Sequence, residues 1–325
     1  MHEVHARRGL VAALTRLFVR PSASGSVRRR VAIVVPLSSR PDLEPDEETS
    51  LRQLTHHLDR YDKFFIAPSG STFRRPGFTT IEMPRKFFGS AAAHNHLLLF
   101  RPFYEAFRQY EYILIYHLDS LVFSDQLLAW CDAGWDYIGA PWLPSRDTPW
   151  VREARVGNGG FTLMKIDTVL DVLYRRHLLD PWTVWADLAT RNQRLLTPLL
   201  VALRGVNRLL PDWRLVATAV THWEVALDPG PHGSNNDVFW SYDAVRYAPG
   251  FRLAPVEQGL RFAFEAVPRQ CFEMTGGQLP FGCHAWAKFD REFWSQHLVP
   301  VLRAAARDNA SMDSAPHHVP AVATR

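Results

Sequence analysis

The stretch Tyr112-Ile-Leu-Ile-Tyr116, continued by His117-Leu118-Asp119-Ser120-Leu121-Val122-Phe123, decides how the chain is read. A run that is apolar on both faces suits a strand buried between two layers. It stops at two polar residues spaced by one, and on an extended chain such side chains point the same way. Ligands of open α/β sheets bind beyond the carboxyl ends of strands. His117 and Asp119 are therefore read as groups that converge on one ion. Imidazole plus carboxylate accommodates Mn²⁺ or a similar ion, whereas Mg²⁺ prefers more oxygen ligands. The plainer reading of Asp119 is a turn or cap residue.

Outward from this strand the pattern repeats. Val31-Ala-Ile-Val-Val35, closed by Pro36, predicts a first buried strand, and Asp46 to Arg60 has helical spacing with Leu51, Leu54 and Leu58 on one face. Lys63 to Ala67 and Phe78 to Met83 read as further strands, and Ala91 to Tyr110 as a helix bent near Pro102. Phe161 to Lys165 is a strand candidate with a helix behind it at Asp167 to Arg176. Strands alternating with helices predict an open, mostly parallel mixed sheet with helices on both faces. The division expected is a flexible basic leader over 1–30, one α/β domain over 31–300 and a loose tail over 301–325. A helical insertion rich in Leu, Trp and Arg is expected over 177–223.

Composition narrows the classes. The chain has 325 residues, 47% hydrophobic and 22% charged, enough apolar content for a sizeable core. Its net charge of +4 is carried almost wholly by arginine, with only Lys63, Lys86, Lys165 and Lys288 as lysines. The surplus sits in the leader rather than on a folded face, so a nucleic-acid partner is not expected. Cys131, Cys271 and Cys283 form neither a disulfide framework nor a CxxC pair. No stretch reaches the roughly 18 apolar residues of a membrane span. A cytoplasmic location is expected, with weak contact of the basic leader to the inner membrane surface as an option. The first strand is not followed by GxGxxG, so a dinucleotide site is not expected.

Three further motifs carry polar groups. In Val156-Gly-Asn158-Gly159-Gly160 the glycines allow close backbone approach to a ligand, against the plainer reading of a tight turn. Asp237, in Ser234-Asn-Asn236-Asp237-Val238-Phe-Trp240, sits at a helix start and either caps it or accepts a proton from a substrate hydroxyl. His284, in Phe281-Gly-Cys283-His284-Ala-Trp286, could bring a further metal ligand from a loop.

In this order the motifs, together with Asp136-Tyr-Ile-Gly-Ala-Pro-Trp142, resemble a bacterial family, domain of unknown function 5672. The resemblance runs from about Val31 to Phe293, and the members look like GT-A glycosyltransferases. It implies a GT-A-like fold that holds a nucleotide-sugar donor with a divalent metal, Mn²⁺ or Mg²⁺. Asp119 then resembles the second acid of an Asp-x-Asp motif, with His117 in the first acid's place and His284 as a further ligand. Asp237 resembles the general base of inverting enzymes, although Asn236 stands where their motif has glutamate. For the nucleotide the resemblance implies Pro36, Leu37, Ser38 and Asn95, with Arg85 and Lys86 for phosphate. For the sugar or acceptor it implies Asn158, Gly159, Gly160 and the rings of Trp142 and Trp286.

The activity so implied moves a sugar from a nucleotide donor to a saccharide or other hydroxyl acceptor. The alternative is a non-catalytic sugar- or nucleotide-binding protein on the same scaffold, kept open by His117 and Asn236. A metal-dependent hydrolase ranks last, because the sequence lacks a dense cluster of His and Asp ligands.

Overall fold

The computed structural model describes residues 28–146, 148–179 and 235–300. The expected leader up to residue 27, the expected insertion beyond Leu179 and the expected tail over 301–325 lie outside the described residues.

Six strands form the main sheet. They are β1 (Arg29–Pro36), β2 (Asp62–Pro68), β3 (Phe78–Met83), β4 (Tyr110–Tyr116), β6 (Tyr137–Gly139) and β9 (Phe161–Lys165), in the order β3-β2-β1-β4-β9-β6. The first four run parallel, and only β9 opposes its neighbours, Tyr116 facing Phe161 and Gly139 facing Thr162. The fold is therefore α/β with a mixed, mostly parallel sheet. Every residue from Val31 to Val35 is buried, so both faces of β1 are covered, as a continuous apolar run requires. Helix α1 (Pro45–Leu58) connects β1 to β2 and buries Leu51, Leu54 and Leu58. Between β3 and β4 the expected bent helix is two short ones, α2 (Ala91–Leu97) and α3 (Arg101–Glu105), the second starting beside Pro102.

Two small sheets extend the top of the main one. Strands β5 (Leu121–Val122), β10 (Ala263–Phe264) and β11 (Gly282–Cys283) pair in the order β10-β11-β5, and β7 (Pro141–Trp142) pairs with β8 (Arg155–Val156). The three-stranded sheet carries a second core containing Leu121, Phe264, Cys283, Trp286 and Trp294. Its register matters for the site. Gly282 pairs with Val122, and a Cβ on Gly282 would lie 2.2 Å from the Phe161 ring, so glycine is what lets β11 lie against β9.

Gln53 joins these layers. Fully buried on α1, it donates to the Val122 carbonyl (3.0 Å) and accepts from the Val299 backbone N–H (3.1 Å). Gln53→Ala is expected to destabilise the fold by about 2–4 kcal/mol, because two buried backbone groups lose their partners. Urea unfolding at neutral pH checks this, and a loss below about 1 kcal/mol would show that water replaces the side chain.

Candidate metal centre and acid–base site

Because β1, β3 and β4 are parallel, their C-terminal ends share one edge of the sheet. Pro36–Ser38, Arg85 with Lys86, and His117 with Asp119 all follow those ends. At the end of β4, the His117 N–H donates to the Gly160 carbonyl (2.8 Å), and the Ser120 N–H closes a turn on the His117 carbonyl (2.9 Å). Buried hydroxyls hold this turn from below. Ser50 Oγ donates to the Ser120 carbonyl (2.6 Å), and the Tyr116 hydroxyl donates to the Ser50 carbonyl (3.0 Å). The strand end is thus a fixed platform rather than a free loop.

His284 enters from β11 and completes the cluster. One ligand atom from each of His117, Asp119 and His284 lies within 4.8 Å of the others. Backbone bonds lock the approach: His284 N–H to the Phe264 carbonyl (2.9 Å) and Trp286 N–H to the Asp119 carbonyl (3.0 Å). His284 Nε2 faces Asp119 Oδ1 at 3.2 Å, while Nδ1 donates to Glu265 Oε1 at 2.9 Å. Asn158 fixes Glu265 in turn. Its Oδ1 accepts from the N–H groups of Gly160 (3.1 Å) and Phe161 (3.3 Å), which turns Nδ2 onto Glu265 Oε1 at 2.5 Å.

The charges follow from this geometry. Burial alone would lower His284, but the carboxylates of Asp119 and Glu265 push it up to about 10. Burial opposes ionisation of Asp119, yet the facing His284 charge holds its carboxyl well below the usual range. Burial, with His94 and His284 nearby, keeps His117 neutral. His94 Nε2 lies 2.9 Å from His117 Nε2, and burial brings His94 down to about 4. Without a metal the centre therefore holds a cationic His284 between two carboxylates, beside two neutral imidazoles.

This donor set fits a divalent cation. Two imidazoles and one carboxylate converge, and Glu265 behind His284 fixes the tautomer that presents Nε2, the arrangement common behind metal-bound histidines. A metal must displace the His284 proton, so Mn²⁺ binding at pH 7 is expected to release about one proton. Affinity should rise as pH climbs toward about 10, where His284 gives up its proton unaided. Calorimetry in buffers of different ionisation enthalpy measures the release; binding with none would remove His284 from the ligand set. Glu265→Gln keeps an acceptor oxygen and loses the charge. It is expected to weaken metal binding about 10–100-fold, read by Mn²⁺ titration, and unchanged affinity would contradict the role given to Glu265.

Asp237 lies in the first turn of helix α4 (Asn236–Val238), on the other side of the glycine turn. A Cβ on Gly159 would lie 2.9 Å from Asn236 Oδ1 and 3.5 Å from Asp237 Cβ. Burial raises the Asp237 carboxyl, and the Glu265 charge adds to this while His284 opposes it, so the three groups share one field. The fold thus brings Asp237 within the field of His284, the residue that faces Asp119.

Several expected roles change. Asn158 is 3% exposed with both ends of its amide engaged, so it orients Glu265 rather than reaching sugar hydroxyls. Trp286 is 1% exposed within the second core and offers no face to a sugar. Asn95 donates to Asn235 (3.1 Å) and accepts from the Asn236 side chain (2.7 Å), a clamp on the turn before Asp237. Pro36 and Leu37 are buried at the end of β1, leaving Ser38 exposed. Arg85 and Lys86 are exposed, Arg85 Nε bonding the Ser69 carbonyl at 2.9 Å. Trp142 is half-buried, its ring against Gly157. Glu265 and His94 were not singled out in the sequence; the signal for Glu265 is a lone acid closing the apolar run Phe262-Ala-Phe264.

Fold and cluster together define an α/β protein with a candidate metal centre at the C-terminal edge of its parallel strands. Residues 77–284 match the profile of the family described as protein of unknown function, DUF5672, and the chain belongs to that family. No curated protein matches the sequence. Among solved structures the chain is similar to the galactosyltransferase LgtC in complex with donor and acceptor sugar analogues. That likeness has 12% identity, 89% of this chain and 97% of that one covered, and a TM-score of 0.43. It is also similar to mouse xyloside xylosyltransferase 1 (13% identity, 79% and 97% covered, TM-score 0.40). A third is the glycosyltransferase GlyE of Streptococcus pneumoniae (11% identity, 88% and 64% covered, TM-score 0.37).

Proposed function

We propose that this chain is a metal-assisted, inverting glycosyltransferase that moves a sugar from a nucleotide-sugar donor to a saccharide or other hydroxyl acceptor. The observation that carries the reading is the convergence of His117, Asp119 and His284 at the sheet edge, with the raised carboxyl of Asp237 in the same field. Asp119, His284 and His117 are the residues that would hold the cation, Mn²⁺ before Mg²⁺ because two of the three donors are imidazoles. When bound, the ion supplies neutralisation of charge on a departing nucleoside diphosphate. Arg85 and Lys86 suit phosphate oxygens, and the Ser38 turn suits the ribose or base.

Asp237 takes the proton of the acceptor hydroxyl as that oxygen attacks the anomeric carbon. A carboxyl raised toward neutrality does this better than an ordinary aspartate. Gly159 and Gly160 leave the room that Asn236 and the His284 ring occupy, which lets Asp237 and His284 approach the same turn. No helix among the described residues is long and apolar enough to cross a membrane, and contact with a membrane surface would fall to the basic segment before residue 28.

The test is a panel of nucleotide sugars with Mn²⁺, followed by NMR with and without a saccharide panel. Slow, metal-dependent donor hydrolysis that an acceptor converts to transfer supports the proposal. Tight binding with no turnover would make the protein a binder, and release of free sugar indifferent to every acceptor would make it a hydrolase.

A further inference from the structure

The helix opening at Asn236 passes into a π-turn over Phe239–Asp243, a distortion that recurs at functional sites. Arg155, on β8, is fastened to that turn. Its Nε lies 2.9 Å from Ser241 Oγ, and its Nη2 donates to the Ser241 carbonyl at 2.5 Å. Ser241 Oγ in turn donates to the Val156 carbonyl at 2.6 Å. The guanidinium lies over the Tyr242 ring, 4.3 Å from its centroid, and Tyr242 is 48% exposed. Across the β7–β8 pair Trp142 stands opposite Arg155, and opposite residues of antiparallel strands share a face. Ser241 follows Asp237 by four residues, about one helical turn.

Arg155 lacks a counter-charge among the described residues and, unlike the exposed Arg85 and Arg252, which lack one too, it is half-buried. Arg28, Arg30, Arg75 and Arg291 each pair with a carboxylate. Among the described residues none pairs with Arg155, and its Nη1 makes no hydrogen bond. A half-buried, oriented fork with a free edge, flanked by aromatic rings a turn away from a carboxylate base, is built to receive an anion on a sugar.

We infer that Arg155 reads a negative group on the acceptor, so that the acceptor is an acidic saccharide. Its carboxylate or phosphate takes two parallel hydrogen bonds from the guanidinium, and a sugar face lies along Tyr242 and Trp142. The inference rests on the proposed function in taking this face as the acceptor side. It needs no turnover to be tested.

The experiment titrates the full chain, without donor, by ligand-observed NMR. The probes are a neutral disaccharide, the same disaccharide as a uronic acid, and its 6-phosphate. Both acidic probes are expected to bind at least about tenfold more tightly than the neutral one, the scale of a charge-assisted contact. The tighter of the two identifies the anion. R155Q should erase the preference, and R155K should keep only part of it because a point charge lacks the fork. If R155Q unfolds, R155K with its melting temperature measured carries the comparison. Equal binding of neutral and acidic probes, or a preference that survives either substitution in folded protein, overturns the inference. Competition by UDP would also overturn it, by placing the anion in the donor site. Acidic-probe binding with no donor turnover would keep Arg155's role and defeat the transferase reading instead.

Discussion

Asp237→Asn should lower kcat by about 10²–10⁴-fold while leaving the KM for the donor nearly unchanged. The substitution is conservative in shape. Asp237 Oδ1 accepts the N–H of Val238 at 2.8 Å, and an asparagine oxygen can take the same bond, so the helix start survives. What disappears is the proposed proton acceptor. Burial and the Glu265 charge raise this carboxyl, which makes it a stronger base than an exposed aspartate. A loss confined to kcat is the signature of an interaction made only in the transition state. Steady-state kinetics on a nucleotide sugar and a working acceptor decide the matter. A kcat within about threefold of the parent protein would remove Asp237 from the chemistry.

The sheet was legible because its strands are buried on both faces. Phe78–Met83 and Phe161–Lys165 are strands with the expected bounds, and β4, expected over Glu111 to Tyr116, begins one residue earlier. The direction of β9 was not legible, since an apolar run has the same pattern whether it pairs parallel or antiparallel. That direction is decisive for the site: an opposed β9 brings its start, Gly160-Phe161, to the end of β4. The His-x-Asp pair was legible for a local reason, the two-residue period of an extended chain. Glu265 was not, because nothing local links it to His284, 19 residues away; the link is the pairing of β10 with β11. In sequence the glycine turn offers close backbone approach to a ligand. In the structure much of the room there is filled by the protein itself, by the Trp142 ring at Gly157, by Asn236 at Gly159 and by His284 at Gly160.

That last contact supports the sharpest structural prediction. Gly160→Ala is expected to disable the candidate metal centre, weakening Mn²⁺ binding by at least about 100-fold, and to destabilise the metal-free fold by about 1–3 kcal/mol. A Cβ at Gly160 would lie 2.1 Å from His284 Nε2 and 2.2 Å from its Cδ2, far inside contact distance. The backbone cannot retreat, because the Gly160 N–H is bonded to Asn158 Oδ1 and its carbonyl accepts from His117 N–H and Ser120 Oγ. The imidazole must therefore move, and moving it breaks its bonds to Asp119 and Glu265 together. Gly160 is not among the residues with positive φ, so alanine brings no backbone strain of its own and the whole effect passes through His284. This gives the prediction an internal control. In the double variant with His284→Ala the steric conflict is gone, so Gly160→Ala should cost little stability on that background, and the two substitutions should couple by about 1–3 kcal/mol. Additive losses would mean that the glycine serves the turn alone, and that the ring of His284 does not need the space Gly160 leaves.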